Sequence, residues 1–235
     1  MSLSISVVIP AWREAETIEG AVRAALGVGD EVLVVDAGSP DGTAARARGA
    51  GARVIEAPRG RGPQLDAGAR AARGDVLLFL HADARLPPAA RGAVLEALAA
   101  PDVLGGNFLL RFEPTSRGAR VLGWLNDARR RRLRIYYGDS ALFLRRDAYA
   151  RLGGFRPLPI LEDYELIRRL ERMGPTAYIR HVEVTASARR FEGALGRTLL
   201  VWVVVQGLYS LGVPAERLAR LYRDIRRAAP APGES

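Results

Sequence analysis

Two aspartates, Asp36 and Asp83, each stand just beyond a short apolar run, Val32–Val35 and Val76–Leu80. Apolar runs of this length read as strands buried on both faces of a parallel sheet. In an open α/β sheet, ligands bind beyond the carboxyl ends of the strands. The two carboxylates are therefore expected to leave adjacent strand ends toward one crevice. Beside them, Arg59-Gly60-Arg61-Gly62 opens a helix. Its glycines permit close backbone approach, its arginines offer bidentate donors to phosphate, and a helix N-terminus favours anions. Such a set suits a nucleoside diphosphate held with a metal ion. The first apolar run ends in Pro10-Ala11-Trp12-Arg13-Glu14. That segment is not the G-x-G-x-x-G of a dinucleotide fold, and no G-x-x-x-x-G-K-[ST] loop occurs.

Other chemistries lack their residues. The chain has no cysteine, which removes thiol nucleophiles, disulfides and Cys-ligated metals. All 35 basic residues are arginine, so no Schiff-base or P-loop lysine exists. With two histidines, His81 and His181, a His-rich metal site or a Ser–His–Asp triad has few ways to form. Carboxylates, arginines and a metal ion are left. The net charge of +9 is weak support for an anionic ligand or membrane surface rather than for nucleic acid.

The elements that must position these groups follow from periodicity. Strands are expected at Ile5–Ile9, Val32–Val35, Arg53–Ile55 and Val76–Leu80. Helices start near Ile18 and Ala45 and cover Gln64–Arg73. This βαβαβαβ order predicts a doubly wound, mainly parallel sheet with helices on both faces. Beyond Asp83 the expected elements are a helix at Pro87–Ala99, a strand at Val103–Phe112 and a helix over Arg117–Arg134. A strand at Ala141–Leu144, a helix at Leu161–Met173 and a strand ending near Thr185 follow. Two C-terminal helices lie near Leu195–Leu211 and Pro214–Ala228. A length of 235 residues, 49% hydrophobic and 26% charged, accommodates one globular domain with a real core. The segment Ala229–Ser235, with two prolines and a glycine, reads as a disordered tail.

Five motifs occur together in order: Val8-Ile9-Pro10 with Glu14; Asp36-Ala37-Gly38-Ser39-Pro40-Asp41-Gly42-Thr43; Leu80-His81-Ala82-Asp83; Gly138-Asp139 with Gly153-Gly154-Phe155; and Leu161-Glu162-Asp163. In these the chain resembles the family 2 glycosyltransferases of the GT-A fold. Gly60-Arg61-Gly62-Pro63-Gln64 and Ser187-Ala188-Arg189-Arg190-Phe191 are similar to a compact bacterial subgroup associated with arsenosugar biosynthesis and radical-SAM/selenodomain genes. The resemblance implies a GT-A-like, Rossmann-like catalytic domain over residues 1–190, with a nucleotide-binding half (1–85) and an acceptor half (86–190), followed by helices over 191–228. It implies an inverting, metal-dependent transfer from a nucleotide-diphosphate sugar, UDP-linked, to a hydroxyl acceptor that is anionic or lipid-linked. Pro10, Ala11, Trp12, Glu14, Asp36, Arg61 and Gln64 would bind the nucleotide. Asp83 would hold Mg²⁺ or Mn²⁺, Asp163 would be the general base, and Arg189 or Arg190 would face phosphate or acceptor. Two departures stand out: Asp36-Ala37 replaces a usual pair of aspartates, and His81-Ala82-Asp83 replaces D-x-D. The Q-x-x-R-W signature of processive synthases is absent.

Plainer readings stand beside these. Asp41 is the expected turn residue. Glu162 and Asp163, about 100° apart on one helix, would allow one carboxylate to face the pocket. The run Arg129–Arg134 reads as a solvated face. The apolar Thr198–Val213 reads as core or dimer packing, and the basic amphipathic helix after it could lie on a membrane. Met1–Ile9 lacks the features of a secretory leader, so a cytoplasmic protein is expected, with peripheral contact at the inner membrane face left open. Two other classes compete: a nucleotidyltransferase making a nucleotide-sugar, and a non-catalytic membrane- or RNA-binding protein using Arg129–Arg134.

Overall fold

A computed structural model describes residues 3–187 and 195–227. The strands are β1 (Ile5–Ala11), β2 (Glu31–Asp36), β3 (Arg53–Glu56), β4 (Val76–Phe79), β5 (Ala84–Arg85), β6 (Gly105–Glu113), β7 (Leu142–Arg145) and β8 (Thr176–Ser187). The helices are α1 (Ile18–Leu26), α2 (Thr43–Gly49), α3 (Arg61–Ala71), α4 (Ala90–Ala97), α5 (Arg117–Leu133), α6 (Arg146–Leu152), α7 (Glu162–Met173), α8 (Leu195–Ser210) and α9 (Ala215–Arg227), with a 3₁₀ turn at Gly138–Ser140.

The sheet order is β3-β2-β1-β4-β7-β6-β8-β5. β1 pairs in parallel with β2 and β4, β2 with β3, and β6 with β8; β7 runs antiparallel to β4 and β6, and β5 antiparallel to β8. The expected mixed, mainly parallel sheet is borne out. From β1 the chain moves outward through β2 and β3, then returns across β1 to β4. The order thus reverses between β1 and β4, which is where a doubly wound sheet opens its crevice.

Alternation along each strand divides the core. Ile5, Val7 and Ile9 of β1 join Val22, Val34, Val94, Phe108 and Leu122 on one face, under α1, α2, α4 and α5. Val8 joins Leu33, Val35, Leu65, Leu142 and Leu166 on the other, under α3, α6 and α7. Successive side chains of a strand point to opposite faces, so a run apolar at every position needs both covers. Helix α3 lies unusually close. A Cβ added at Gly68 would fall 2.4 Å from Val8 Cγ1 and 2.8 Å from Val35 Cγ2, a distance only glycine allows.

Two elements had no expectation. β5 is two residues long and α6 seven, too short for a period to declare itself. The Arg129–Arg134 reading is corrected. Arg130 is 5% exposed: its Nε donates to Asn107 Oδ1 (2.7 Å), one terminal nitrogen to Glu171 Oε1 (3.2 Å), and the other to Thr176 Oγ1 (2.9 Å) and Ala177 O (3.1 Å). A helix turns each residue 100° from the last, so a run of arginines on α5 cannot share one face. One member, Arg130, enters the interior, where Asn107, Glu171, Thr176 and Ala177 supply acceptors for its donors. The tail from Ala229 lies outside the described residues.

Candidate active site

The crevice floor is built by ties between loops and strand ends. Gln64, inside the first turn of α3, donates its Nε2 to Ala11 O (2.8 Å) and Val35 O (2.7 Å), locking α3 onto the ends of β1 and β2. Its amide is buried and spent on the backbone, so Gln64 faces inward rather than toward the crevice. Asp36 is buried as well: its Oδ2 accepts from the amides of Gly38 (3.0 Å) and Ser39 (2.8 Å), and its Oδ1 from Ser39 Oγ (2.6 Å). The carboxylate thus shapes the turn after β2. Asp41, the expected turn residue, accepts from Thr43 N (3.1 Å), Thr43 Oγ1 (2.6 Å) and Ala15 N (3.2 Å). Arg13 N donates to Ser39 Oγ (3.0 Å) and Glu14 N to Thr43 Oγ1 (2.9 Å), which stitches the loop after β1 to the loop after β2. Pro10 and Ala11 close β1, and Trp12 lies beneath two guanidinium groups, Arg59 at 4.5 Å and Arg13 at 5.5 Å from its ring centre.

The opposite wall comes from α7 and the 3₁₀ turn. Glu162 and Asp163 are both buried, and both face Arg61. Arg61 Nε donates to Glu162 Oε1, and a terminal nitrogen lies 3.6 Å from Asp163 Oδ2. The expectation that only one of the two carboxylates could face the pocket is therefore corrected. The forked guanidinium spans the angle between neighbouring helical positions. Gly62 makes this approach possible, since a Cβ there would sit 3.0 Å from Arg156 O and 3.3 Å from Glu162 Cβ. The glycines flanking Arg61 thus serve contact between α3 and the start of α7 as well as ligand access.

Asp163 is held at both oxygens: Oδ1 accepts from Tyr164 N (2.7 Å) and Oδ2 from Gly138 N (2.8 Å). A Cβ on Gly138 would lie 3.2 Å from Asp163 Oδ2 and 3.3 Å from His81 Nε2, so the 3₁₀ turn is wedged between the end of β4 and α7. Asp139, next in that turn, is pushed up to about 6 by burial, then by the charge of Asp163 and, more weakly, Asp83; Arg129 and Arg61 oppose the shift. Burial also pushes Glu162 up, against the pull of Arg61. The Arg61 side chain keeps 40% of its surface in contact with solvent. Partial desolvation works against its charge, but Asp163 and Glu162 outweigh it and hold the guanidinium well above its ordinary range. Arg129 covers the Tyr137 ring at 4.5 Å, and Tyr137 donates to Gln206 Oε1 of α8.

The structure thus brings Arg61, Asp163, Asp83 and Asp139 into one electrostatic neighbourhood, with Trp12 and the Asp36 turn across the crevice. Asp139 was missing from the expected site residues. The Gly138-Asp139 pair was visible as part of a motif, but nothing local told its carboxylate from a turn residue. Arg189 and Arg190 lie outside the described residues. Among the described residues no three His, Asp or Glu side chains close around one point as a self-sufficient metal cage does. The donor set suits a different arrangement. Oxygen ligands favour Mg²⁺ and Mn²⁺, and Mg²⁺ usually binds through one or two carboxylates plus substrate phosphates. The repulsion from Asp163 and Asp83 that adds to burial in raising Asp139 is the field a cation would relieve.

Comparison with known proteins bears on the fold and the family. The family model for glycosyl transferase family 2 matches residues 6–155. A glucosyl-3-phosphoglycerate synthase of Mycolicibacterium paratuberculosis is 37% identical over 93 residues, covering 34% of this chain and 28% of that protein. The chain thus matches less than a third of this curated relative's length. The crystal structure of the Mycobacterium tuberculosis glucosyl-3-phosphoglycerate synthase with Mn²⁺, UDP-glucose and phosphoglyceric acid superposes with a TM-score of 0.63 at 24% identity, over 86% of this chain and 79% of that one. Mannosyl-3-phosphoglycerate synthase from Rubrobacter xylanophilus gives 0.59 at 23% identity, over 89% and 75%. These two likenesses establish the GT-A-like fold. With the family model spanning β1 through α6 and the crevice carrying the motif carboxylates, the chain belongs to glycosyl transferase family 2.

Proposed function

We propose that this protein is an inverting, metal-dependent glycosyltransferase that moves a sugar from a UDP-linked donor to a hydroxyl of an anionic acceptor. The observation that carries the reading is the convergence of Asp83, Asp139, Asp163 and Arg61 at the β1/β4 switch point of a family 2 fold. The nucleotide would lie against Pro10–Glu14, with the Asp36 turn shaping its seat and Arg61 reaching the diphosphate. Asp83 would hold a Mg²⁺ or Mn²⁺ ion, which when bound supplies charge neutralisation for the departing diphosphate. Asp163, its carboxylate fixed by two amides, accepts the proton of the acceptor hydroxyl as that oxygen bonds to the anomeric carbon. The bond from that carbon to the diphosphate oxygen breaks, and the nucleoside diphosphate leaves from the opposite face.

The ligands bound in the Mycobacterium tuberculosis enzyme, UDP-glucose, Mn²⁺ and phosphoglyceric acid, support a UDP donor and an anionic acceptor here. Arg129, beside Asp139, gives this chain a cation on the acceptor side. The likeness to the compact bacterial subgroup adds no sugar and no acceptor. Calorimetry with UDP, GDP, CDP, dTDP and ADP, each with and without Mn²⁺, tests the donor half on wild type and Asp83→Ala. Metal-dependent binding of UDP that is lost in the variant is expected; flat heats across the panel overturn the reading. If Asp163→Asn keeps wild-type transfer with normal donor binding, the base is another group.

A further inference from the structure

Helix α5 meets the core with Ala119, Leu122 and Arg130 and turns a different face outward. At 100° per residue, Arg117, Arg120, Val121, Trp124, Arg131 and Arg132 fall within about 120° of its circumference. Trp124 is 64% exposed and Val121 49%. The two apolar side chains lie at the middle of a helix roughly 25 Å long, with arginines toward both ends. Arg131 is tied to Asp127, whereas Arg117, Arg120 and Arg132 have no acidic partner among the described residues. A buried inner face explains why α5 folds where it does, but not an exposed tryptophan ringed by unneutralised arginine.

We propose that this face of α5 docks on an anionic bilayer surface. An indole is suited to the headgroup boundary, where its apolar body is buried and its N–H stays wet. Arginines flanking it reach lipid phosphates while their stems cover apolar area. The pattern is that of an interfacial helix, and the net charge of +9 favours the same surface. Charge complementarity argues against a second copy of the chain, which would set these arginines against their own equivalents. It argues less for RNA, because Val121 offers no stacking surface and Trp124 stands as a single aromatic. The inner side of the same helix lines a small cavity with Asn126 and Arg129, which Asp139 also lines. No helix among the described residues is long and apolar enough to cross a membrane, so the attachment is peripheral.

The test is sedimentation of the full chain with phosphatidylglycerol–phosphatidylcholine vesicles against phosphatidylcholine alone, which requires no transferase activity. Binding is expected only to the anionic vesicles and should weaken as salt rises. Arg120→Gln and Arg132→Gln should each lower partitioning about fivefold, and Trp124→Ser on the order of tenfold. All three positions are exposed, so unchanged thermal midpoints check that the variants fold. Absence of binding, equal binding to both vesicles, or binding that these variants leave intact overturns the proposal. Loss of binding in Val203→Gln on α8 but not in Trp124→Ser also overturns it, because docking then belongs to α8. So does concentration-dependent self-association abolished by Trp124→Ser, or displacement of the vesicles by RNA.

Discussion

Replacing Arg130 by methionine removes the cation from a buried network whose cost can be estimated from its partners. The side chains of Arg130 and Glu171 are 6% and 4% exposed, so solvent screens their interaction little. Removing one partner of a buried pair costs about 3–5 kcal/mol, because a charge is left uncompensated. Here Arg134 Nε stays 2.6 Å from Glu171 Oε2 and shares that load, which puts the expected cost at the lower end, about 3 kcal/mol. For a chain of this length that is a fall of roughly 6–12 °C in thermal midpoint. The effect should reach the crevice. Asn107, which accepts from Arg130, donates to Ser140 Oγ (3.2 Å), and Ser140 Oγ donates to Tyr137 O (2.7 Å), bracing the turn that carries Asp139. Urea denaturation measures the first effect and hydrogen exchange at the Gly138–Ser140 amides the second. The double variant Arg130→Met/Glu171→Leu should recover about 1–2 kcal/mol of the loss, since it removes the orphaned carboxylate. A single variant within about 1 kcal/mol of wild type, or a double variant less stable than the single, would refute the argument.

The other expectations concern the crevice and its supports. Asp139 has its folded pKa raised to about 6, so it contributes stability that is fully present below its unfolded value near 3.8 and is lost as pH rises through about 6. Asp139→Asn should therefore flatten that decline between about pH 4 and pH 6 in a urea-midpoint series, and an unchanged difference between the two proteins across that window counts against the burial of Asp139. Gln64→Leu leaves the carbonyls of Ala11 and Val35 without their side-chain donor and should cost about 2 kcal/mol by chemical denaturation, weakening nucleotide heats as the ends of β1 and β2 loosen. Gly68→Ala forces a methyl against Val8 and Val35 and should destabilise by about 1–3 kcal/mol, read as a lower thermal midpoint. A neutral Gly68→Ala would mean that α3 sits farther from the sheet than described.

Strands β1, β2, β3 and β4 were legible as short apolar runs bounded by turn residues. Of the helices between them, α1 declared itself by its apolar period, α2 by alanine with glycine stops, and α3 by the glycine that closes it. Residues whose role is fixed by a neighbour in sequence were legible too: Asp41 caps its turn through Thr43, two positions on. Residues whose role is fixed by a distant partner were not. Gln64 reads as a polar side chain beside a ligand loop until β1 and β2 place two carbonyls within its reach. Arg130 reads as one charge in a row until β6, α7 and β8 surround it with acceptors.

Composition alone removed thiol, lysine and most histidine chemistry, because a missing functional group cannot be supplied by folding. Local pattern and motif order made the parallel half of the sheet and its crevice legible and singled out Asp36, Asp83 and Asp163 as candidate groups there. Only the tertiary structure decided how those groups share their charges. Arg61 lies 101 positions before Glu162, yet its guanidinium is the counterion of both Glu162 and Asp163. Asp139 holds its proton more tightly than a free carboxyl because the fold removes it from water and the 3₁₀ turn sets it beside Asp163 and within the field of Asp83. Electrostatic energy depends on distance through space and on the water excluded between the charges, and neither quantity is written in the order of residues.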